Sequence, residues 1–410
     1  MVASMVVNTR YTSGSCRGNQ SSVLMWCRWL TASLLVFSVC ARPTAGLQWV
    51  SRPDAKPLGA QQEAWVLTPP TFREGLHLPD WRVPDRLEAW QDEGRQRARS
   101  ALWSLLGNLP ARPDPNGVRI TERVDKGQYI LERFEFHNGV DMIVPGLLMI
   151  PKAALVRPAP AILALHHYAS NKEAVCLGVG QDNPKVDDHV GTLLVENGYV
   201  VAAIDGYFHG QRIGMGPGGK TSNANQQEME LFKLNLWLGR SLWGLMVRDD
   251  QCLLDYVMTR PEVDKERIGA TGMSMGCMRA HWLAALDDRV KVVVGVACFV
   301  RYSQIVAHGV KHHSVYLYVP GMLNHFDTEV LHALIAPRPH LELCGDHDGT
   351  EPLDGIEILD GKVQKVYQLY GRPADFLCLV YENTGHEYLP DMKTRMIEWF
   401  RKYLPPEATR

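Results

Sequence analysis

The residues with the clearest chemical potential form the run Gly272-Met273-Ser274-Met275-Gly276. A strand candidate at 268–272 leads into this run, and a helix candidate at 275–286 follows it. A serine between glycines at a strand-to-helix turn is typical of an exposed nucleophile, because only glycine tolerates the close backbone contacts that such a turn imposes. We therefore predict that Ser274 is a nucleophile. The alternative is a glycine-rich turn that holds an incidental serine.

A serine hydroxyl is a poor nucleophile at neutral pH and needs a base that is oriented by an acid. His386 follows the strand candidate 376–380 and precedes the last helix, and we predict that it is the base. Asp348 lies in the loop after the strand candidate 340–344 and is the predicted acid. Asp346, two residues earlier, remains the alternative acid, or it braces the loop.

The oxyanion of a tetrahedral intermediate needs two backbone N–H donors. One donor comes from the residue after the nucleophile, which is Met275 at the start of its helix, and the second comes from the loop after an early strand. By position, that second donor is Tyr168. The residues that we expect to contact a substrate are His167, Gln211, Trp237 and Trp243. For the two tryptophans, packing in the core is the alternative role.

These residues need a scaffold, and the pattern of apolar runs indicates one. The strand candidates are 161–165, 199–204, 268–272, 291–296, 340–344 and 376–380. The helix candidates are 187–197, 227–259, 275–286, 326–335, 356–370 and 390–404. Before them, alternating segments at 118–136 and 140–150 predict edge strands. Apolar strands that alternate with helices predict an α/β fold with a mostly parallel sheet, whose chemistry lies at the carboxyl ends of the strands.

The beginning of the chain differs from the rest, and we expect three regions. Residues 1–45 place arginines ahead of an apolar run at 29–41, a layout typical of a signal peptide. The run is shorter than the roughly 20 residues of a membrane-spanning helix, so we expect export to the cell envelope, the periplasm or the medium. An uncleaved anchor or a buried helix is the alternative. Residues 46–125, rich in proline and tryptophan, predict an extension packed on a catalytic domain at 126–405.

Composition excludes some classes of function. The 410 residues carry a formal net charge of -2 and no long basic block, so nucleic acid is not an expected partner. A phosphate-loop pattern at 214–221 follows a polar run and not a strand, which argues against nucleotide binding. The six cysteines after the leader form no CxxC pair, and we expect buried thiols, with one disulfide left open.

Histidines are numerous, but their spacing does not indicate a metal site. The candidates that lie near one another in the chain are His308, His312, His313, His325 and His332. Apart from one adjacent pair they lack the tight spacing of metal ligands. The adjacent His166 and His167 point to opposite sides of a strand end, so they do not form a ligand pair either. We expect no metal and no cofactor.

Further motifs carry a resemblance to a known family. They are Leu165-His166-His167-Tyr168, Asp205 at the end of its strand, His209-Gly210-Gln211, 260–269 and Ala336-Pro337-Arg338-Pro339. Together with the serine, acid and base, they resemble the dienelactone hydrolase/acetyl xylan esterase branch of the α/β-hydrolase superfamily over about residues 125 to 405. The spacing from Gly345 to Asp348 is similar to that of many hydrolases in this superfamily. The chain also partly resembles the cephalosporin C deacetylase/acetyl xylan esterases, which carry Gln at the position of Met275.

The resemblance implies an α/β-hydrolase fold with an N-terminal extension and hydrolysis through an acyl-enzyme. It leaves three functional hypotheses. The first is a serine-dependent carboxylic-ester hydrolase that deacetylates carbohydrate or small acyl esters. The second is a secreted serine peptidase of the same fold, and the third is a catalytically idle binding protein. The set of serine, acid and base favours the first, with a small-molecule or carbohydrate ester as the partner. A homo-oligomer remains open.

Overall fold

The computed structural model describes residues 47–55, 75–179, 189–310 and 313–406. The predicted leader at 1–45 and His312 lie outside the described residues. Among the helices that are described, none is long and apolar enough to cross a membrane.

One sheet organises the described chain. Its strands are β1 (Gln48–Val50), β2 (Arg119–Asp125), β3 (Tyr129–His137), β4 (Ile143–Pro151), β5 (Ala159–Leu165), β6 (Val200–Ile204), β7 (Val263–Met273), β8 (Val290–Val296), β9 (His340–Gly345) and β10 (Phe376–Tyr381). They lie side by side in the order β1-β10-β9-β8-β7-β5-β6-β4-β3-β2. All pairs from β1 to β6 in that order are parallel, and β4, β3 and β2 continue the sheet antiparallel. The carboxyl ends of the parallel strands therefore meet at one edge.

Helices cover the sheet. They are α1 (Arg95–Leu106), α2 (Lys172–Leu177), α3 (Val190–Glu196), α4 (Ala224–Trp237), α5 (Leu242–Val257), α6 (Met275–Leu286), α7 (Tyr302–Ala307), α8 (Glu329–Ile335), α9 (Leu353–Leu369) and α10 (Pro390–Tyr403). Strand β9 illustrates how both faces are buried. Leu341 and Leu343 belong to a core cluster with Phe400 of α10, whereas Cys344 belongs to a second cluster with Leu334 of α8. Neighbouring residues of a strand point to opposite faces, so β9 needs apolar partners on both sides.

The sequence predicted most of these elements. All six predicted central strands are present, and the segment at 118–136 divides into the hairpin of β2 and β3. The predicted single helix at 227–259 is wrong, because the chain breaks between α4 and α5. Gly239 lies in this break with a φ of +68°, a conformation that continues no α-helix.

The predicted extension at 46–125 contributes to the sheet and to the core, although its bounds as a separate region remain a prediction. Its strand β1 pairs in parallel with β10, which the sequence analysis did not foresee. Leu102 and Leu106 of α1 are fully buried in the same cluster as Leu334.

The six described cysteines are all buried and none is joined in a disulfide within the described residues: Cys176, Cys252, Cys277, Cys298, Cys344 and Cys378. Within the described residues, the disulfide that was left open is therefore not formed. Burial raises the pKa of Cys344 and Cys298 well above the ordinary value, which keeps these thiols protonated.

Candidate active site

Ser274 lies at the turn between β7 and α6 with a φ of +55° and a ψ of −120°. A non-glycine residue in this region is strained, and the strain persists because the flanking backbone fixes it. The Ser274 N–H donates to the Val296 carbonyl at 2.8 Å. A Cβ on Gly276 would lie 1.9 Å from the Leu165 oxygen, and one on Gly272 would lie 2.5 Å from it. The two glycines thus let the start of α6 approach the end of β5.

The structure brings the predicted acid and base together. Nδ1 of His386 lies 2.7 Å from Oδ2 of Asp348. The other oxygen of Asp348 accepts from the Thr350 N–H at 2.8 Å and from the Thr350 hydroxyl at 2.7 Å. Burial opposes a charge on His386, but the Asp348 carboxylate outweighs it and raises the pKa of His386 above its ordinary value. This geometry holds an imidazole with its Nδ1 proton directed at the acid.

Asp346 contacts a different histidine. Its Oδ1 accepts from the Thr384 N–H at 3.0 Å and lies 2.7 Å from Nδ1 of His347. The backbone N–H of His347 in turn donates to the Thr384 carbonyl at 2.8 Å. Asp346 therefore joins the loop after β9 to the loop after β10, and this contact holds the loops of the predicted acid and base next to each other.

Glu351 is a neighbour of this site that the sequence analysis missed. It is buried, and its Oε2 accepts from the Phe299 N–H at 2.7 Å. Burial, together with the nearby Asp348 charge, raises the pKa of Glu351 well above its usual range. A protonated, neutral Glu351 adds no second negative charge next to Asp348. Its place seven residues after the predicted strand at 340–344 gave no signal of this role.

The loop after β5 holds the predicted Tyr168 donor. His166 is fully buried, and its Nε2 accepts from the Gly206 N–H at 2.8 Å while Nδ1 lies 2.8 Å from the His167 oxygen. Both ring nitrogens of His166 thus brace the loop. Burial lowers the pKa of His167 to about 4, and the neighbouring His386 adds to this effect. His167 is therefore a neutral imidazole beside the predicted base.

Aromatic contacts fix the side chain of Tyr168. Its ring stacks on Tyr316 with 5.6 Å between centroids and meets His209 edge-on at 5.2 Å. Its hydroxyl donates to Oε2 of Glu228 at 2.8 Å. Burial, followed by this carboxylate, raises the pKa of Tyr168 to about 12. Met275, the other predicted donor, is the first residue of α6, where the helix does not use the backbone N–H.

The other predicted contact residues lie in different environments. Gln211 lines a cleft of about 640 Å³ together with Tyr168 and His209. Its Oε1 accepts from the buried Lys172 ammonium at 2.8 Å, and that ammonium also pairs with Asp205 at 3.0 Å. Gln211 thus lines the same cleft as the predicted oxyanion loop.

The two tryptophans do not line this cleft. Trp243 is fully buried, and its ring packs against Tyr316 with 5.6 Å between centroids. Tyr316 in turn stacks on Tyr168. Trp237 ends α4 with 88% of its surface exposed. The positions of both therefore agree better with packing and with an exposed surface than with the cleft wall.

The phosphate-loop pattern at 214–221 contains no phosphate cradle. The Gly218 N–H donates to a carboxylate oxygen of Glu230 at 3.0 Å, and the Ser222 hydroxyl donates to its other oxygen at 2.6 Å. An acid in this place repels a phosphate, which agrees with the expectation that no nucleotide binds here.

This chain matches the model of a known protein family. The model described as "Abhydrolase family" matches residues 80–376. The Bacillus subtilis protein YtaP, named as a candidate hydrolase, is 32% identical over 316 residues, which cover 76% of this chain and 100% of that protein.

Solved structures show the same fold. A candidate acetyl xylan esterase from Bacteroides fragilis matches with a TM-score of 0.60 and 20% identity, over 76% of this chain and 87% of that chain. A glucuronoyl esterase from Solibacter usitatus matches with a TM-score of 0.56 and 16% identity, over 78% and 97%. The α/β-hydrolase fold expected from the sequence is thereby confirmed.

Proposed function

Because this chain belongs to the Abhydrolase family of the α/β-hydrolase superfamily, we propose that it is a serine-dependent carboxylic-ester hydrolase. The observation that carries this proposal is the strained backbone of Ser274, with a φ of +55° at the end of a central strand. A serine gains no stability from this conformation, so the strain indicates a role in chemistry.

Proton transfer follows from the contact between the acid and the base. Asp348 accepts the Nδ1 proton of His386, which leaves the Nε2 lone pair to take the proton of the Ser274 hydroxyl. The serine oxygen attacks the ester carbonyl, and His386 returns the proton to the departing alcohol. Water then repeats the sequence on the acyl-enzyme and releases the carboxylic acid. Asp348 stabilises the imidazolium that forms on His386.

Charge on the carbonyl oxygen develops at the start of α6. The N–H of Met275 and the N–H of Tyr168 donate to this oxyanion, and the helix start adds a partial positive charge. The aromatic packing around Tyr168 supports this assignment, because a fixed donor costs no reorganisation when the oxyanion forms.

The proposed substrates are acetylated carbohydrates or small acyl esters. The cleft beside Tyr168 carries polar groups from Asn171, Gln211 and Asn225, which suit hydroxyl-rich leaving groups. The names of the two structural relatives, both carbohydrate esterases, favour the same class. No cofactor takes part in the proposed steps. We also propose export, on the leader-like residues 1–45.

A substrate panel tests the proposal. The full chain is assayed on p-nitrophenyl acetate, acetylated xylo-oligosaccharides, methyl glucuronoyl esters and aminoacyl-arylamides. We expect hydrolysis of the acetyl esters and its loss in Ser274→Ala, whereas the matched control Ser104→Ala, on the exposed side of α1, keeps the rate. Hydrolysis of arylamides but not of esters would establish a peptidase instead. Equal ester hydrolysis by Ser274→Ala and the wild type would overturn the proposal.

A further inference from the structure

Four buried side chains from three elements, α6, α8 and β9, meet inside the fold. We call them the buried histidine cluster: His281 of α6, His332 of α8, and His340 and Glu342 of β9. One nitrogen or oxygen atom of each lies within 4.8 Å of those of the other three. Their exposed fractions range from 0% to 3%. The cluster is separate from the serine, acid and base and does not depend on the proposed function.

The alternation of side chains along β9 places two members of the cluster on the same face of the sheet. His340 and Glu342 are two residues apart on β9, so both side chains leave the same face of the sheet. On that face, β8 carries Gly295, where a Cβ would lie 2.4 Å from Oε2 of Glu342 and 2.6 Å from Nε2 of His281. A glycine at this position therefore provides the space that the cluster occupies.

The charge of Glu342 needs compensation. Its Oε1 lies 2.6 Å from Nε2 of His281 and within hydrogen-bonding distance of Nε2 of His340. Within the described chain, the ion-pair partners of Glu342 are these two imidazoles. A fully buried carboxylate is costly unless a positive charge accompanies it, and these two imidazoles supply a positive charge only when they are protonated.

Hydrogen bonds do not explain why the buried residue at position 332 is a histidine. Its ring lies against His281 at 4.7 Å and against His340 at 5.4 Å between centroids. Its Nδ1 is buried and has no hydrogen-bond partner among the described residues. A leucine would fill such a position without the cost of burying an unpaired nitrogen. A ligand between the side chains would give this imidazole a partner.

We propose that the buried histidine cluster binds one zinc ion. Three imidazole nitrogens and one carboxylate oxygen are ligands that Zn²⁺ takes in proteins, and four protein ligands in a closed, buried site are typical of a structural zinc. In the structure, Nε2 of His281 and Nε2 of His340 face Oε1 of Glu342 at hydrogen-bonding distance. To bind the ion, both imidazoles would keep their proton on Nδ1 and turn the Nε2 lone pair toward it. The double positive charge compensates Glu342.

The ion connects the elements that hold the proposed active site. Helix α6 starts directly after Ser274, and β9 leads into the loop of Asp348. A bond from His281 to the ion and another from Glu342 would fix the distance between that helix and that strand. Loss of zinc would therefore loosen the packing of α6 against β9. None of the proposed zinc ligands is itself a proposed reacting group.

Metal analysis of the full chain tests this proposal. The protein is prepared without a histidine tag from zinc-supplemented medium, and its metal content is measured by inductively coupled plasma mass spectrometry. We expect about one zinc per chain. His332→Ala and Glu342→Gln should each lose the zinc, whereas His325→Ala, which removes an exposed histidine, should retain it. Zinc at wild-type stoichiometry in both cluster variants would overturn the assignment.

The wild-type protein provides a second test that does not depend on how the variants fold. We expect a strong chelator to lower the melting temperature by about 5 °C or more, and added Zn²⁺, but not Mg²⁺, to restore it. A wild-type chain that holds less than about a tenth of an equivalent of any first-row transition metal, and whose melting temperature ignores chelator and Zn²⁺, would refute the proposal.

Discussion

Replacement of Asp348 by Asn tests how the proposed base is oriented. The Asn oxygen keeps both donors of Thr350, the N–H at 2.8 Å and the hydroxyl at 2.7 Å, because both already bind one oxygen of Asp348. The amide NH₂ group then faces Nδ1 of His386, which now lies 2.7 Å from Oδ2. Two donors cannot face each other, so the imidazole takes the tautomer with its proton on Nε2 and cannot accept a proton from Ser274.

This change should lower kcat for p-nitrophenyl acetate by about 10³- to 10⁴-fold, which is about 4–5.5 kcal/mol of transition-state stabilisation. Folding should be preserved, since the shape of the side chain and both Thr350 contacts are retained. The assay is the initial rate at saturating substrate, with circular dichroism and the melting temperature as checks on the fold.

Asp346→Asn is the matched control, since it makes the same chemical change two residues away. Asp346 contacts Thr384 and His347, not His386, so kcat should fall by less than about tenfold. If Asp346→Asn abolished activity while Asp348→Asn retained it, the assignment of the acid would be wrong.

Three further predictions concern the turn, the base and the oxyanion loop. Gly276→Ala places a Cβ 1.9 Å from the Leu165 oxygen and should destabilise the fold by about 1–3 kcal/mol or more, seen as a lower urea midpoint. Since the Asp348 carboxylate raises the pKa of His386 and the base acts unprotonated, the acid limb of kcat/KM should have its midpoint above pH 6.5, and Asp348→Asn should move any residual limb to lower pH. Tyr168→Phe retains the backbone N–H, so kcat should stay within about tenfold of wild type; a loss of about a hundredfold or more would assign the oxyanion contact to the hydroxyl.

The sequence predicted the central sheet well because buried parallel strands are continuous apolar runs. The strands at β5 to β10 and the start of α6 after Ser274 followed from that pattern and from the glycine positions. Strand β1 was missed because three residues, Gln48–Val50, give no periodic signal and depend on the edge of β10. The break at Gly239 was missed because apolar spacing continues across it.

The candidate site was predictable where chain order constrains it. The serine, acid and base follow β7, β9 and β10 in a known order along the chain, so Asp348 and His386 could be named. Long-range packing gave no such signal: Glu351 behind the acid is buried by elements far away in sequence. The same holds for His332, which sequence proximity grouped with His308 and His325, whereas the fold places it beside His340. In the sequence, only the two-residue spacing of His340 and Glu342 on one strand indicated the buried histidine cluster.

The most direct test of the central claim is a covalent label on the nucleophile. The full chain is treated with a fluorophosphonate, its intact mass is measured, and the modified peptide is sequenced. We predict one adduct per chain on Ser274, complete loss of ester hydrolysis in parallel, and no adduct in Ser274→Ala. An unlabelled wild-type protein that still hydrolyses esters, or equal labelling of Ser274→Ala, would contradict the proposed serine mechanism.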